Sequence, residues 1–415
     1  MVLLRSRQFF LLFVGEAING IGGWAALIAL WGYAAYKFDS GPTEIAWLGL
    51  AWSAPAALIG PFVGVPIDRV GPRRVLVWAY AAASVIALCM AFSTTYAQLL
   101  AWSVVYGVTV AFSHPAGASL PPRLVDDADL LPANALLGAA QESAIVFGPL
   151  LAAGVIAVWG VRAAFLADAM TYWIGIAVLL PLRLREVPVA VRTRVRTEIA
   201  EGVRIARREP VVRFTLVISA AVFLCWSAFL VVEPIYVRET LHRSATLLGL
   251  FQTAFGVGMV GTGLLLPRLG DRVATPRALA VSVLLSGFTA VAYVGTRWIA
   301  VAFVGVFLWG VDVAFFSAPS RTLLQRATPV SAHGRVLSLF NTVESWVAML
   351  AIPLAGLVAS AVGVQGLAFI VAAIAATAGL IGVFRAPPAP QTRLEEMAYR
   401  SGTPFPREQS ALESA

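Results

Sequence analysis

The sequence predicts an all-α integral membrane protein of twelve transmembrane helices, arranged as two pseudo-symmetric six-helix halves. Three observations predict it. Hydrophobic residues make up 59% of the 415 residues and charged residues only 13%, against about 25% charged in a soluble domain, and mean hydropathy is +0.83. Twelve stretches are long and apolar enough to cross a bilayer, which takes roughly 20 residues as a helix. Landmarks in the first six stretches recur in the second six at spacings of 202 to 204 residues.

The expected spans run 8–35, 44–67, 75–94, 97–120, 133–159, 162–182, 211–237, 244–268, 277–295, 298–320, 334–362 and 364–384. The first is too long for a signal peptide and no cleavage site follows it, so it is expected to stay as a helix. Glycine and proline inside many spans are tolerated in lipid, because neighbouring helices and water satisfy the freed backbone groups. The halves comprise 1–182 and 211–385. Between them lies an arginine-rich linker, 183–210, whose part from Thr197 to Arg208 reads either as a helix lying on the inner membrane surface or as a solvated linker. The tail, 386–415, is rich in Pro, Ser and Glu and is expected to be disordered.

With the N-terminus inside, the inner loops receive 25 of the 30 lysines and arginines, and the outer side only Lys37, Arg162, Arg238, Arg243 and Arg297. The positive-inside rule therefore places both termini in the cytoplasm. The same asymmetry accounts for the net charge of +8 without a nucleic-acid partner, since the arginines sit at loop ends instead of on one soluble face. Cys89 and Cys225 both fall inside spans, and His114, His242 and His333 are scattered, so no disulfide framework, metal site or cofactor is expected. No nucleophile–base constellation or phosphate-binding loop is visible. An enzyme is not expected.

The repeat is specific. Trp24 and Trp226 lie 202 residues apart, as do the Glu-Ser pairs at Glu142 and Glu344. "IDRVGPRRVL" at Ile67 to Leu76 aligns with "GDRVATPRAL" at Gly270 to Leu279, and "FSHP" at Phe112 to Pro115 with "FSAP" at Phe316 to Pro319. Parallel repeats related by an axis along the membrane normal are a transporter architecture. On these features residues 5 to 385 resemble the major facilitator superfamily. In "GVPIDRVGPRR" the residues Gly64, Asp68, Arg69 and Gly71 match the superfamily's loop between spans two and three, and Arg73 and Arg74 follow. Pro72 replaces the first basic residue and suits the first turn of a helix. The resemblance implies a conformational latch there, with Asp271 and Arg272 as its counterpart in the second half. Gly148-Pro149 resembles the superfamily's antiporter motif, in which proline bends the helix; the motif's closing glycines are Ala152 and Ala153 here. The run from Phe112 to Gly175, including Pro115, Asn134 and "AFLADAMTY", resembles the macrolide-efflux and Tap-like drug exporter branch. That branch implies drug:proton antiport by a monomer. It also contains siderophore exporters.

The intramembrane acids are Glu16, Glu142, Asp168, Glu233, Asp312 and Glu344. At a rise of about 1.5 Å per residue, Glu16, Glu142 and Glu344 lie ~12, ~14 and ~15 Å from the inner ends of their spans, near the midplane of a hydrocarbon layer about 30 Å thick. A charge there costs at least ~2.5–3.5 kcal/mol, so such residues face a cavity or a partner. No lysine or arginine falls in the interior of an expected span; those within the ranges sit at span ends. These acids must then be protonated, hydrogen-bonded or matched to a cationic ligand, and a carboxylate that accepts either a proton or a cation can exchange the two. The expected proton and substrate site is Glu16, Asn19, Glu142, Asp312 and Glu344, with Trp24, Trp226, Phe229, Phe316 and Trp346 as an aromatic wall for lipophilic cations. Asp168 is expected to bond Thr171 or Tyr172, and Glu233 to be wet or paired with Arg238. Glu142 and Glu344 have a structural alternative, bonding the Ser143 and Ser345 neighbours across the dyad. The function expected is proton-coupled export of lipophilic, cationic small molecules in the cell membrane. The alternatives are export of a siderophore or other secondary metabolite, uptake by symport, and a membrane scaffold or sensor.

Overall fold

A computed structural model describes residues 3–185, 195–328 and 332–389. It contains helices and no strand among these residues. The rest of the expected linker, 186–194, and most of the expected tail, 390–415, lie outside the described residues.

The first half is α1 (Arg7–Gly32), α2 (Pro42–Val70), α3 (Pro72–Ala91), α4 (Tyr96–Ala118), α5 (Asp127–Trp159) and α6 (Val161–Leu179). A linker helix, α7 (Val195–Arg208), leads to the second half: α8 (Pro210–Ile235), α9 (Ala245–Leu269), α10 (Pro276–Val294), α11 (Ile299–Arg326) and α12 (His333–Arg385). Ten segments are long and apolar enough to cross a membrane among the described residues. Gly363 divides α12 into two passes, and with α2, at 29 residues, the described residues hold twelve long helical segments, one for each expected span.

Local chemistry explains the element ends. Proline opens α2, α3, α8 and α10, where its missing N–H costs nothing and its fixed φ suits the first turn. Thr95 caps α4 by accepting from the Gln98 amide at 3.3 Å, and Thr275 caps α10 from Ala278 at 3.2 Å.

The two halves repeat each other in atomic detail. A π-helical turn ends the first span of each half, Tyr33–Lys37 and Tyr236–Thr240, 203 residues apart. Each is followed by a non-glycine residue in the left-handed region, Asp39 (φ 50°) and His242 (φ 52°), again 203 apart. Gly160 (φ 80°) and Gly363 (φ 77°) make the sharp turns between spans five and six and between eleven and twelve. Within each half the first span packs on the fifth and sixth, the second on the fourth, and the third on the fourth and sixth.

The halves meet through α5 against α9 and α2 against α12. Gly249 and Gly256 of α9 bring its backbone close to α5: a Cβ at Gly249 would lie 2.8 Å from the Pro149 carbonyl oxygen, and one at Gly256 2.9 Å from that of Ile145. Polar bonds across the halves gather at the face away from the N-terminus. There the Arg238 guanidinium donates to the Ala35 carbonyl at 2.5 Å and pairs with Asp39 at 3.0 Å, Tyr36 donates to the Arg243 carbonyl at 2.5 Å, and Thr43 bonds Ser360 at 2.8 Å. Helix α7 packs on α8 and α12, with Gly202 against the Arg335 backbone.

Candidate functional site

A cavity of about 690 Å³ opens among α1 to α5. Its wall includes Glu16, Asn19 and Trp24 from α1, Tyr80 from α3, Tyr106 from α4 and Glu142 from α5. The α5 residues, Asn134 to Ile145, lie mainly in the first half of that helix, and the α4 residues run to its end at Ala118, so the cavity lies toward the face from which α1 and α5 start, opposite the polar closure between the halves.

Glycines set its shape. Gly117 of α4 lets the backbone approach Glu16, whose Oε1 would lie 3.4 Å from a Cβ there. A Cβ at Gly148 would collide with Trp24 and lie 2.9 Å from the Ile21 carbonyl oxygen. Gly148-Pro149 thus stands where α5 is pressed against α1 on one side and α9 on the other.

Glu16 is half-buried and accepts a hydrogen bond from the Tyr80 hydroxyl at 3.2 Å. No cation acts on it among the described residues. The Tyr80 hydroxyl also lies against the Asn19 amide, yet neither Asn19 polar atom reaches hydrogen-bond geometry, although both are buried.

Glu142 is exposed and Glu344 half-buried, and the Arg321 guanidinium acts electrostatically on both. This corrects the expectation that Glu142 and Glu344 lack a cation, and leaves it standing for Glu16 among the described residues. α11 continues to Arg326, past the expected span end at 320, and carries Arg321 inside the helix, its guanidinium 5.8 Å from the Phe340 ring centroid. Ser143 and Ser345 bond back to their own helices, at the Ala140 and Asn341 carbonyls, so the alternative of serine bonds across the dyad is not what the described residues form.

The other acids turn inward. Asp312 is buried, accepts from Ser282 at 2.9 Å and from Ser286, and stands apart from the cavity wall. Both partners are on α10. Glu233 is neither wet nor paired with Arg238: it is buried and accepts from Tyr293 at 2.6 Å and from Gln252, while Arg238 reaches Asp39. Asp168 is fully buried; Thr171 donates to its backbone carbonyl, and its carboxylate accepts instead from Tyr106 at 3.3 Å.

Of the expected aromatic wall, Trp24 borders the cavity and Trp346 is 57% exposed. Phe229 and Phe316 are buried in the second half's core, against Trp309 and against Phe223 and Trp226. At the expected latch, Arg73 donates to the Leu182 carbonyl at 2.7 Å within its own half. Gly71 (φ 94°) makes the turn into α3, with Gly64 and Arg69 before it on α2 and Arg74 after it on α3. Arg272 ends a short 3-10 turn, and the Asp68 and Asp271 side chains lie outside the described residues. Sequence reasoning missed Tyr80 and Tyr106, and named Tyr172 only as a partner of Asp168. The signal was present: a phenol in mid-span needs a hydrogen-bond partner, and the nearby acids supply one.

The chain matches the family model described as Major Facilitator Superfamily over residues 12–311 and 215–406. It is 27% identical over 407 residues to the uncharacterized MFS-type transporter y4rN of Sinorhizobium fredii, covering 93% of this chain and 96% of that one. It is 22% identical over 371 residues to macrolide efflux protein A of Streptococcus pyogenes, covering 86% and 91%. In structure it resembles the nucleoside transporter NupG (TM-score 0.78, 10% identity, 91% and 99% covered) and, in an inward-facing and occupied conformation, a bacterial homolog of the human lysosomal transporter Spinster (0.71, 13%, 92% and 96%). Twelve crossings in two repeated halves agree with the family model: the chain belongs to the Major Facilitator Superfamily and is a multi-pass membrane transporter, not an enzyme.

Proposed function

We propose that the protein exports lipophilic, cationic small molecules in exchange for protons, as a monomer in the cell membrane with both termini in the cytoplasm. The observation that carries the reading is Glu16: an acid on the cavity wall, hydrogen-bonded to a phenol, with no cation beside it among the described residues. Such a group takes a proton or a cationic cargo and not both, because a charge left uncompensated at that depth is costly. Trp24 and Trp52 border the same cavity and are aromatic partners for a cation there. Polar closure at one face with the cavity toward the other supports alternating access, here open to the cytoplasm. Resemblance to a macrolide efflux protein favours export over uptake.

Glu142 and Glu344 enter differently. Arg321 acts electrostatically on acids of opposite halves, so a proton or a cationic substrate at one leaves Arg321 to the other. The same residue favours a second reading, export of a carboxylate-bearing secondary metabolite such as a siderophore, for which an exposed guanidinium near the cavity is the natural partner.

The test is transport by the full chain in proteoliposomes with an imposed pH gradient, using ethidium and a labelled macrolide as probes. Glu16→Gln is expected to abolish gradient-driven movement without changing thermal unfolding. Undiminished transport by that variant would refute the assignment.

A further inference from the structure

We propose that Asp168 is a second proton-binding site of the transporter, occluded from solvent and reached from the cavity through Tyr106. The inference rests on the proton-coupled reading above and adds a residue that reading does not use.

Asp168 lies on α6 with no exposed surface. Its Oδ2 is 3.3 Å from the Tyr106 hydroxyl, and that hydroxyl is 2.5 Å from the Tyr172 hydroxyl. Its Oδ1 has no hydrogen-bond partner, and neither does the Asn19 side chain nearby on α1. Gly22 on α1 brings the backbone so close that a Cβ there would lie 2.9 Å from Oδ1. The titratable groups around it are Tyr106 from α4, Tyr172 on its own helix, and beyond them Tyr80 from α3 and Glu16 from α1. No cation acts on it among the described residues.

The other buried acids show what a purely structural carboxyl looks like here. Asp312 has both oxygens engaged by Ser282 and Ser286, and Glu233 has both engaged by Tyr293 and Gln252. Buried polar groups are normally satisfied in this way, and an orphan calls for an explanation. An acid that gains and loses a proton has to tolerate both forms, and neither form can have every partner in place.

Tyr106 joins the two environments. It borders the cavity and bonds Asp168. A proton arriving at the Tyr106 oxygen forms an O–H bond there while the hydrogen Tyr106 already carries passes to Asp168 Oδ2. The phenol ends unchanged and the carboxylate neutral; the reverse shift returns the proton to the cavity. Tyr106 is in turn stacked by Trp52 of α2, ring centroids 4.4 Å apart, and α2 packs on α12 of the other half. Relative motion of the halves therefore acts on the relay. Glu16, through Tyr80, sits at the other end of the same tyrosine group, since the Tyr80 and Tyr172 rings are 5.4 Å apart.

The purified full-length protein tests this by infrared difference spectroscopy between mildly acidic and alkaline buffer. The expected result is a protonated-carboxyl carbonyl band lost in Asp168→Asn and shifted in Tyr106→Phe, which removes the bonded hydroxyl but keeps the ring. Ser286→Ala should leave that band in place. In proteoliposomes, Asp168→Asn is expected to lower by one the protons moved per ethidium, and Tyr106→Phe to slow proton release at least several-fold. Should Asp168→Asn fail to fold, Tyr106→Phe carries both measurements. A wild type that moves neither ethidium nor macrolide under a pH gradient overturns the coupling reading. A coupled wild type with an Asp168→Asn variant that keeps both the band and the ratio, or a Tyr106→Phe variant with band and release rate unmoved, overturns the Asp168 site alone.

Discussion

Arg162 and Gln365, 203 residues apart, make the same hydrogen bond in opposite halves. Arg162 Nε donates to the Ala91 carbonyl and Gln365 Nε2 to the Val294 carbonyl, each at 3.0 Å, and those carbonyls are themselves 203 apart. Both tie the start of a half's sixth span to the end of its third. The partners differ in one respect: Ala91 also accepts from the Tyr33 hydroxyl at 2.7 Å. Gln365→Leu therefore leaves its acceptor poorer than Arg162→Leu does. It is expected to cost about 1–3 kcal/mol, the range for an unsatisfied buried acceptor, with Arg162→Leu below it and Arg162→Gln nearly silent. Thermal unfolding of the three variants in detergent gives the order.

The repeat was legible because its landmarks are local words: Trp24 and Trp226, the Asp-Arg loops, the Glu-Ser pairs. What was not legible depends on which way a helix is turned. Span seven is apolar all round, so periodicity does not say that Phe229 faces the core instead of the cavity. Glu233 finds its phenol 60 residues away in Tyr293, a pairing that only packing creates, and Arg238 then goes to Asp39 across the halves. Arg321 was missed for another reason. Hydropathy marks where the apolar run stops, whereas hydrogen bonding carried α11 on to Arg326. Glu16 was singled out as an acid at depth, but that its partner is Tyr80, 64 residues away on α3, is again a matter of packing.

Gly160 and Gly363 make equivalent turns with φ of 80° and 77° and extended ψ of 170° and 163°. That region is open essentially to glycine alone, and another residue held there costs roughly 1–3 kcal/mol. Nothing crowds a Cβ at either position, so backbone strain is the whole effect. Gly160→Ala and Gly363→Ala are expected to destabilise the protein by similar amounts, read as matched losses in melting temperature. A large difference between them would contradict the equivalence.

Arg238 holds the closed face. Its guanidinium bonds the Ala35 carbonyl and pairs with Asp39, both in the other half, as well as with its neighbour Glu239. The Asp39 carboxylate is almost fully exposed, so that ion pair contributes little, ~0–1 kcal/mol. The charge-assisted bond to the carbonyl carries more, about 1.5–3 kcal/mol. Arg238→Ala is expected to shift the balance toward a state open at this face by roughly tenfold or more, since 1.4 kcal/mol is a factor of ten. Spin labels at Tyr36 and Arg243, measured as a distance distribution, would show a longer population in the variant. Asp39→Asn should shift it far less.

The last prediction separates the two readings of the cavity. Arg321 acts on Glu142 from the first half and Glu344 from the second, and forms no ion pair within 4 Å among the described residues. If cationic cargo is the substrate, Arg321 is its competitor for those carboxylates, and removing it frees them. Arg321→Gln should then bind ethidium a few-fold to roughly tenfold more tightly, as expected when a screened charge near the site is deleted, and should release it more slowly, since no resident cation returns to displace it. If the cargo carries a carboxylate, Arg321 is its anchor, and the same substitution abolishes transport while leaving ethidium binding weak. Equilibrium binding and export rate measured together distinguish these outcomes: tighter binding with slower turnover belongs to cation exchange, because only there does the protein's own guanidinium compete with the substrate for the carboxylates.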